Sequence, residues 1–177
     1  SLFKNKHQGI TEFLSKKMGK HEKETMLIYN KKLSVSPLTT HILLKDVSNK
    51  IKKSKILNNV NLINNFFKRN FNKKPNIGIL GLNPHNYYSM KKIDESKVIL
   101  SAIRTIKKSK IKVMGPISPD TSFMLFEKYK LDVIIGMYHD QVLTPFKTLF
   151  KYDAINITLG LPCIRVTPDH GVAENIM

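Results

Sequence analysis

The chain has 177 residues, 41% of them hydrophobic and 24% charged, enough for one sizeable core or for one domain with part of another. No apolar run approaches the roughly 20 residues that span a bilayer, and the opening SLFKNKHQGITEF lacks a signal-peptide core. The single cysteine excludes an internal disulfide framework, so a cytoplasmic protein without a membrane segment is expected.

In chain order, apolar strands alternate with amphipathic helices, which predicts an α/β layered fold with no confident internal domain boundary in 1–177. TEFLSKKMG reads as a helix ending near Gly19. MLIYN and KLSVSPLTTHI read as strands, with Pro37 favouring an edge or irregular position in the second. DVSNKI and NLINNFFKRNF follow as helices, and NIGILGL as an apolar strand closed by Asn83-Pro84. Asp94 is placed to cap a helix whose Ile99, Ala102, Ile103 and Ile106 recur at helical spacing. A short strand IKVMG, a helix from Asp120 through Lys128, and a strand LDVIIGMY come next. DAINITLGLP and IRVTP are the last extended segments.

The formal net charge of +17 would ordinarily raise nucleic acid as a partner. The charge is carried by lysine, however, with arginine only at Arg69, Arg104 and Arg165. Arginine reads phosphates and base edges bidentately, whereas dispersed lysines read as solvated faces that also attract anionic small molecules. No nucleic-acid or membrane partner is expected.

Three of the six histidines follow apolar strands: His41 after SVSPLTT, His85 after NIGILGLNP, and His139 after VIIGMY. Ligands in open α/β sheets bind beyond the carboxyl ends of strands, so histidines delivered there can converge on zinc or another divalent ion. Taken singly, each is more often a hydrogen-bonded loop or core residue than a ligand; it is the strand-end placement of all three that balances the two readings, and no short motif such as HExxH accompanies them. His7, His21 and His170 carry less weight. Asp120 and Thr121 stand at a helix start, fit either for anion binding or for simple capping. Lys147 lies a short distance beyond His139, placed to meet an anionic substrate. Cys163 reads as a small buried apolar residue.

The segments GLNPH, GPISPDTSF, MYHDQVLTPFKTL and NITLGLPCIRVTPDHG, in this order, closely resemble the 4-hydroxythreonine-4-phosphate dehydrogenase family, with TEFL and THILLKDV in support. The likeness runs from about Gly9 to Ala173. It implies a layered fold similar to isocitrate and isopropylmalate dehydrogenases, a deep cleft, and a homodimer with a shared active site. It also implies a divalent metal (Zn, Mg, Co or similar) on His41, His85 and His139, contributed across the dimer interface. Substrate contacts fall on Thr11, Lys147, Asn156 and Arg165, and the cofactor region on Asp169, His170 and Gly171. The implied reaction is NAD-dependent oxidation of 4-phosphooxy-L-threonine, then decarboxylation to 3-amino-2-oxopropyl phosphate, in pyridoxal phosphate biosynthesis. Asp140 and Lys147 are its catalytic candidates, Asp140 either orienting a ligand histidine or taking a proton.

The pattern departs in four places. The family has a substrate-binding histidine where this chain has Ile10, and a glycine-rich loop where it has NYYSMKKIDE. Val172, Ala173 and Asn175 replace a Thr-Ala and an aspartate. Both ends expected of the family are absent, so the chain reads as a fragment, incomplete at both ends. Ile10 motivates a second substrate class, a phosphorylated sugar acid such as threonate or erythronate 4-phosphate. A non-catalytic metal- or phosphate-binding relative is the reading from another class.

Overall fold

The computed structural model describes residues 17–19, 23–84 and 94–169. Its strands are β1 (Thr25–Tyr29), β2 (Ser34–Pro37), β3 (Ile77–Leu80), β4 (Val113–Ile117), β5 (Val133–Gly136), β6 (Ile155–Leu159) and β7 (Arg165–Pro168). The helices are α1 (Val47–Lys50), entered from a 3-10 turn at Leu44–Asp46, α2 (Lys53–Phe71), α3 (Asp94–Lys108), α4 (Pro119–Leu125) and α5 (His139–Phe150).

One sheet of seven strands runs in the order β4-β3-β5-β2-β1-β6-β7. β4, β3, β5 and β2 are mutually parallel, and β1 is antiparallel to both β2 and β6, so β6 points the same way as β2. β7 closes the edge antiparallel to β6. The central strands are continuous apolar runs because both of their faces are covered. Ile77, Ile79, Val133 and Ile135 meet α2 and α3 on one face, joined by Leu27, Ile157 and Leu159. On the other face Ile28, Val35, Leu80 and Ile134 meet Val142, Leu143 and Phe146 of α5, with Phe123 of α4 alongside. The result is a helix–sheet–helix sandwich, in agreement with the α/β layered expectation.

Helix α2 forms because Ile56, Val60, Ile63 and Phe67 recur every three or four residues and are all buried. It ends at Asn72, whose φ of 49° is a left-handed cap that asparagine tolerates. Two buried asparagines interrupt its apolar stripe, and Asn59 is satisfied by Ser36 of β2 at 3.1 Å.

Two readings of the sequence are corrected. Pro37 sits on an interior strand, as the final residue of β2, and the next residue, Leu38, still donates its N–H to Gly136 O at 2.8 Å. Cys163 is exposed in the turn between β6 and β7, its Sγ 3.9 Å from Met18 Sδ, with Pro162 and Ile164 on either side exposed as well. The helix expected over TEFLSKKMG lies mostly outside the described residues, and the capping side chain of Asp94 is also outside them. Among the described residues no helix is long and apolar enough to cross a membrane. Every described lysine is exposed except Lys55 and Lys147.

Phe146, fully buried, is the largest side chain in the α5 face of the core. Phe146→Ala is expected to cost about 3–5 kcal/mol in chemical denaturation. A loss below ~1 kcal/mol would show that α5 is not packed on the sheet as described.

Candidate functional site

The site is a consequence of strand order. β3, β5 and β2 are adjacent and parallel, so their carboxyl ends open at one edge of the sheet. The chain leaving β2 leads to His41, that leaving β3 leads to His85, and that leaving β5 leads to His139. Crevices beyond such strand ends are where α/β sheets hold ligands.

His139 is the first residue of α5, and its Nδ1 lies 2.8 Å from Oδ1 of Asp140. An ionised carboxylate only accepts, so Nδ1 is the donor of this pair and Nε2 is directed away from the carboxylate. Asp140 also sits in the first turn, where a negative charge complements the helix dipole. The rings of His41 and His139 have centroids 5.9 Å apart, close enough for two imidazoles to face one small ion. His41 is exposed and His139 half-buried. Among the described residues no group of three metal-ligating side chains gathers; His85, the third candidate, lies outside them. The donor set of two neighbouring imidazoles, one fixed in its tautomer by a carboxylate, fits a divalent cation.

A second group forms lower on the same face. Lys147 Nζ is 3.2 Å from Oδ1 of Asp169, which is 6% exposed. Asn156 lies opposite Ile28 on one side and Thr167 on the other, which puts it on the α5 face of the sheet. Arg165, opposite Thr158, shares that face and donates from Nη1 to Thr158 Oγ1 at 3.0 Å. Among the described residues, Asn156 Oδ1 and Asp169 Oδ2 are buried without a hydrogen-bond partner. Unmet acceptors of this kind are costly unless something else satisfies them.

Lys147 is eight residues beyond His139 on one helix, about 12 Å along its axis. Asn156 stands level with Ile134, through Ile28 and Val35, and so is also displaced from the histidine edge. The lysine expected beside His139 therefore belongs, within one chain, to a separate cluster. The cofactor candidate Asp169 joins that cluster, while Thr11, His170 and Gly171 lie outside the described residues. Asp120 is not the cap of α4; Ser118 takes the cap position and its Oγ donates to Asp120 Oδ1 at 2.7 Å.

Three features were missed from sequence. Helix α5 was not among the elements read from the sequence; its buried positions are Val142, Leu143 and Phe146, with Pro145 inside it. Gln141 is 9% exposed and makes three hydrogen bonds: Oε1 accepts from Met137 N–H at 2.7 Å, and Nε2 donates to the carbonyls of Gly81 at 2.9 Å and Leu82 at 3.3 Å. Thr39, buried at 1%, donates from Oγ1 to Met137 O at 2.7 Å. The available signal was a glutamine sitting between His139 and the apolar Val142 and Leu143.

Comparison with known proteins adds the family context. Residues 2–177 match the family model described as pyridoxal phosphate biosynthetic protein PdxA. A 4-hydroxythreonine-4-phosphate dehydrogenase from a Sulfurihydrogenibium species is 44% identical over 176 residues, 96% of this chain and 52% of that protein. A D-threonate 4-phosphate dehydrogenase from Pectobacterium atrosepticum is 33% identical over 171 residues, again 96% of this chain and 52% of the relative. The crystal structure of a 4-hydroxythreonine-4-phosphate dehydrogenase from Klebsiella pneumoniae superimposes with a TM-score of 0.81 at 32% identity, covering 97% of this chain and 53% of that one. The chain thus spans about half the length of the relatives it matches. Those dehydrogenases have the isocitrate/isopropylmalate dehydrogenase-like fold, and the sheet described above corresponds to part of it.

Gly136, at the end of β5, has no room for a side chain: an added Cβ would lie 2.5 Å from Val142 Cγ1 and 3.0 Å from Gln141 Oε1. Gly136→Ala is expected to push the first turn of α5 off the sheet and cost about 1–3 kcal/mol in chemical denaturation. Unchanged stability would show that α5 does not sit so close to β5.

Proposed function

The chain belongs to the PdxA family of pyridoxal phosphate biosynthetic proteins, and on that premise we propose that it acts as an NAD-linked, divalent-metal-dependent dehydrogenase. Its substrate is 4-phosphooxy-L-threonine, oxidised and decarboxylated to 3-amino-2-oxopropyl phosphate in the cytoplasm. The observation that carries this reading is the adjacency of the three parallel strand exits leading to His41, His85 and His139, with two of the rings 5.9 Å apart.

In this mechanism His41, His85 and His139 hold the cation, which when bound supplies Lewis acidity toward a substrate hydroxyl. Asp140 fixes the His139 ring so that Nε2 faces the ligand, and it stands ready to accept a proton at its second carboxylate oxygen. Lys147 and Arg165 neutralise the phosphate or carboxylate, the guanidinium gripping two oxygens at once. Asn156 Oδ1, buried and unpartnered among the described residues, offers an acceptor to a substrate N–H or O–H. Thr11 completes the substrate contacts. Asp169, His170 and Gly171 are the residues that would hold a nicotinamide cofactor, which when bound would supply the hydride acceptor.

The separation of about 12 Å between His139 and Lys147 along α5 favours a site completed by a second copy of the chain. Symmetric dimers are the commonest way for a protein to bring two distant surfaces of itself together. The three histidines of one site are then contributed across the dimer interface, with the anion-binding cluster completing the same cleft.

A second reading is favoured by Ile10. An apolar side chain cannot supply the hydrogen bond of the histidine that the family has there, and one relative is named for D-threonate 4-phosphate. A phosphorylated sugar acid is the substrate in that case.

Metal analysis of wild-type and His139→Ala protein tests the site: the variant should bind zinc or cobalt at least about tenfold more weakly, and unchanged stoichiometric metal would contradict the assignment. NADH formation with 4-phosphooxy-L-threonine and with D-threonate 4-phosphate separates the two substrates, and activity on the sugar acid alone would overturn the first. Mixing inactive His41→Ala and Lys147→Ala proteins should restore up to about a quarter of wild-type activity if sites are shared across a dimer. No recovery on mixing would place both residues in one protomer's site.

A further inference from the structure

Lysine holds an anion in one place poorly, because its ammonium rides on a flexible four-carbon stem. Lys147, half-buried in the last turn of α5, has that freedom taken up by two neighbours. Asp169 Oδ1 lies 3.2 Å from its Nζ, and the ring of Tyr152 has its centroid 5.7 Å from the same atom. The carboxylate is committed to this contact. Asp169 is buried, Lys147 is its only partner among the described residues, and Oδ2 is left without a hydrogen bond. An ammonium carries three N–H groups, so one given to Asp169 still leaves donors for an anion. The family likeness sets Asp169 in the cofactor segment with His170 and Gly171, and the ion pair gives its side chain a second assignment.

Tyr152 is 72% exposed, and its place over the lysine is set by the backbone. Helix α5 is closed by Lys151, whose N–H donates to Lys147 O at 2.9 Å. Lys151 takes φ 53° and ψ −120°, a conformation that L residues rarely adopt and that persists only where the surroundings determine it. Beyond it, the N–H of Asp153 donates to Phe150 O at 3.0 Å and that of Ala154 to Tyr152 O at 2.8 Å. Asn30, buried in the turn between β1 and β2, pins the loop from across: its Nδ2 donates to the carbonyl of Asp153 and, at 3.2 Å, to Asp153 Oδ2. A strained turn held on both sides thus presents one aromatic face to one ammonium.

We propose that Asp169 and Tyr152 are positioning residues that clamp the Lys147 ammonium and thereby set the affinity for the phosphorylated substrate. This rests on the reading of Lys147 as a substrate contact. Neither side chain touches the substrate; both act through the lysine. For Asp169 the sign of the effect is decisive. As a bare charge it opposes an anion, so its removal would tighten binding. As a positioning group it spares the lysine the rotamer freedom otherwise lost on binding, so its removal weakens binding.

Calorimetric titration with 4-phosphooxy-L-threonine and with D-threonate 4-phosphate, without nicotinamide cofactor so that nothing turns over, reads this affinity. For whichever compound the wild-type protein binds, Asp169→Asn should bind about tenfold more weakly despite the gain in positive charge. Tyr152→Ala should lose about 2–5-fold and Tyr152→Phe stay within about twofold, since the ring face is what the ammonium meets. Adding Asp169→Asn to Lys147→Met should cause no loss beyond that of Lys147→Met alone, because the carboxylate acts through that lysine. Asp169→Asn binding at wild-type strength or tighter would overturn the proposal, as would equal losses from Asp169→Asn with and without Lys147. Should Asp169→Asn fail to fold, the exposed Tyr152 decides: wild-type affinity in Tyr152→Ala would overturn the clamp. A wild-type protein that binds neither compound, or a Lys147→Met protein that binds as well as wild type, would instead overturn the substrate reading, and this inference with it.

Discussion

The parallel alignment of β3, β5 and β2 is the constraint on which the rest depends. Parallel neighbours expose their carboxyl ends along one edge, and the three loops leaving that edge are those that carry the histidines. The central position of β5 matters most. Its exit is flanked on both sides, and helix α5 starts at once from His139, so ligand, orienting carboxylate and bridging glutamine all arise within one turn. Gly136 makes that tight start possible, since any side chain would meet Val142 and Gln141. Core and site are therefore built from the same contacts: the residues that seat α5 on the sheet also aim its first turn.

Helix α5 links this edge to the second cluster. Its buried face, Val142, Leu143 and Phe146, holds it against Ile28, Val35 and Ile134, and its length carries Lys147 away from the histidines toward Asp169 and Asn156. A buried carboxylate paired with a half-buried lysine is a costly arrangement, sustained only where the pair has a task or further partners. One rigid helix thus carries His139 and Lys147 about 12 Å apart along its axis, and that separation is what brings a second protomer into the proposed mechanism.

The sequence made the architecture legible wherever apolar periodicity was uninterrupted. NIGILGL and LDVIIGMY read as buried strands because IGILGL and VIIGM within them run without a polar break, and Ile99, Ala102, Ile103 and Ile106 as a helix because their spacing is helical. Position within the sheet was not legible. Pro37 suggested an edge, but strand order is fixed by long-range pairing that no local signal reports. Helix α5 was not read at all; it carries Pro145 in its interior, where local preference yields to the packing of Val142, Leu143 and Phe146. Cys163 followed an average preference for burial that says nothing about the turn it occupies. In the site, the resemblance named the histidines, lysine, asparagine and arginine, yet it could not show which of them share an end of the molecule. Gln141 and Thr39 escaped because their roles exist only in hydrogen bonds between loops distant in sequence.

The proposed function requires His41, His85 and His139, contributed across a dimer interface, to share one cation. Diffraction from crystals soaked in a zinc salt, with data collected across the zinc absorption edge, tests it most directly. The account predicts an anomalous peak at the shared carboxyl edge of β2, β3 and β5, within bonding distance of His41, His85 and His139. A peak elsewhere on the molecule, with those imidazoles unliganded, would contradict it.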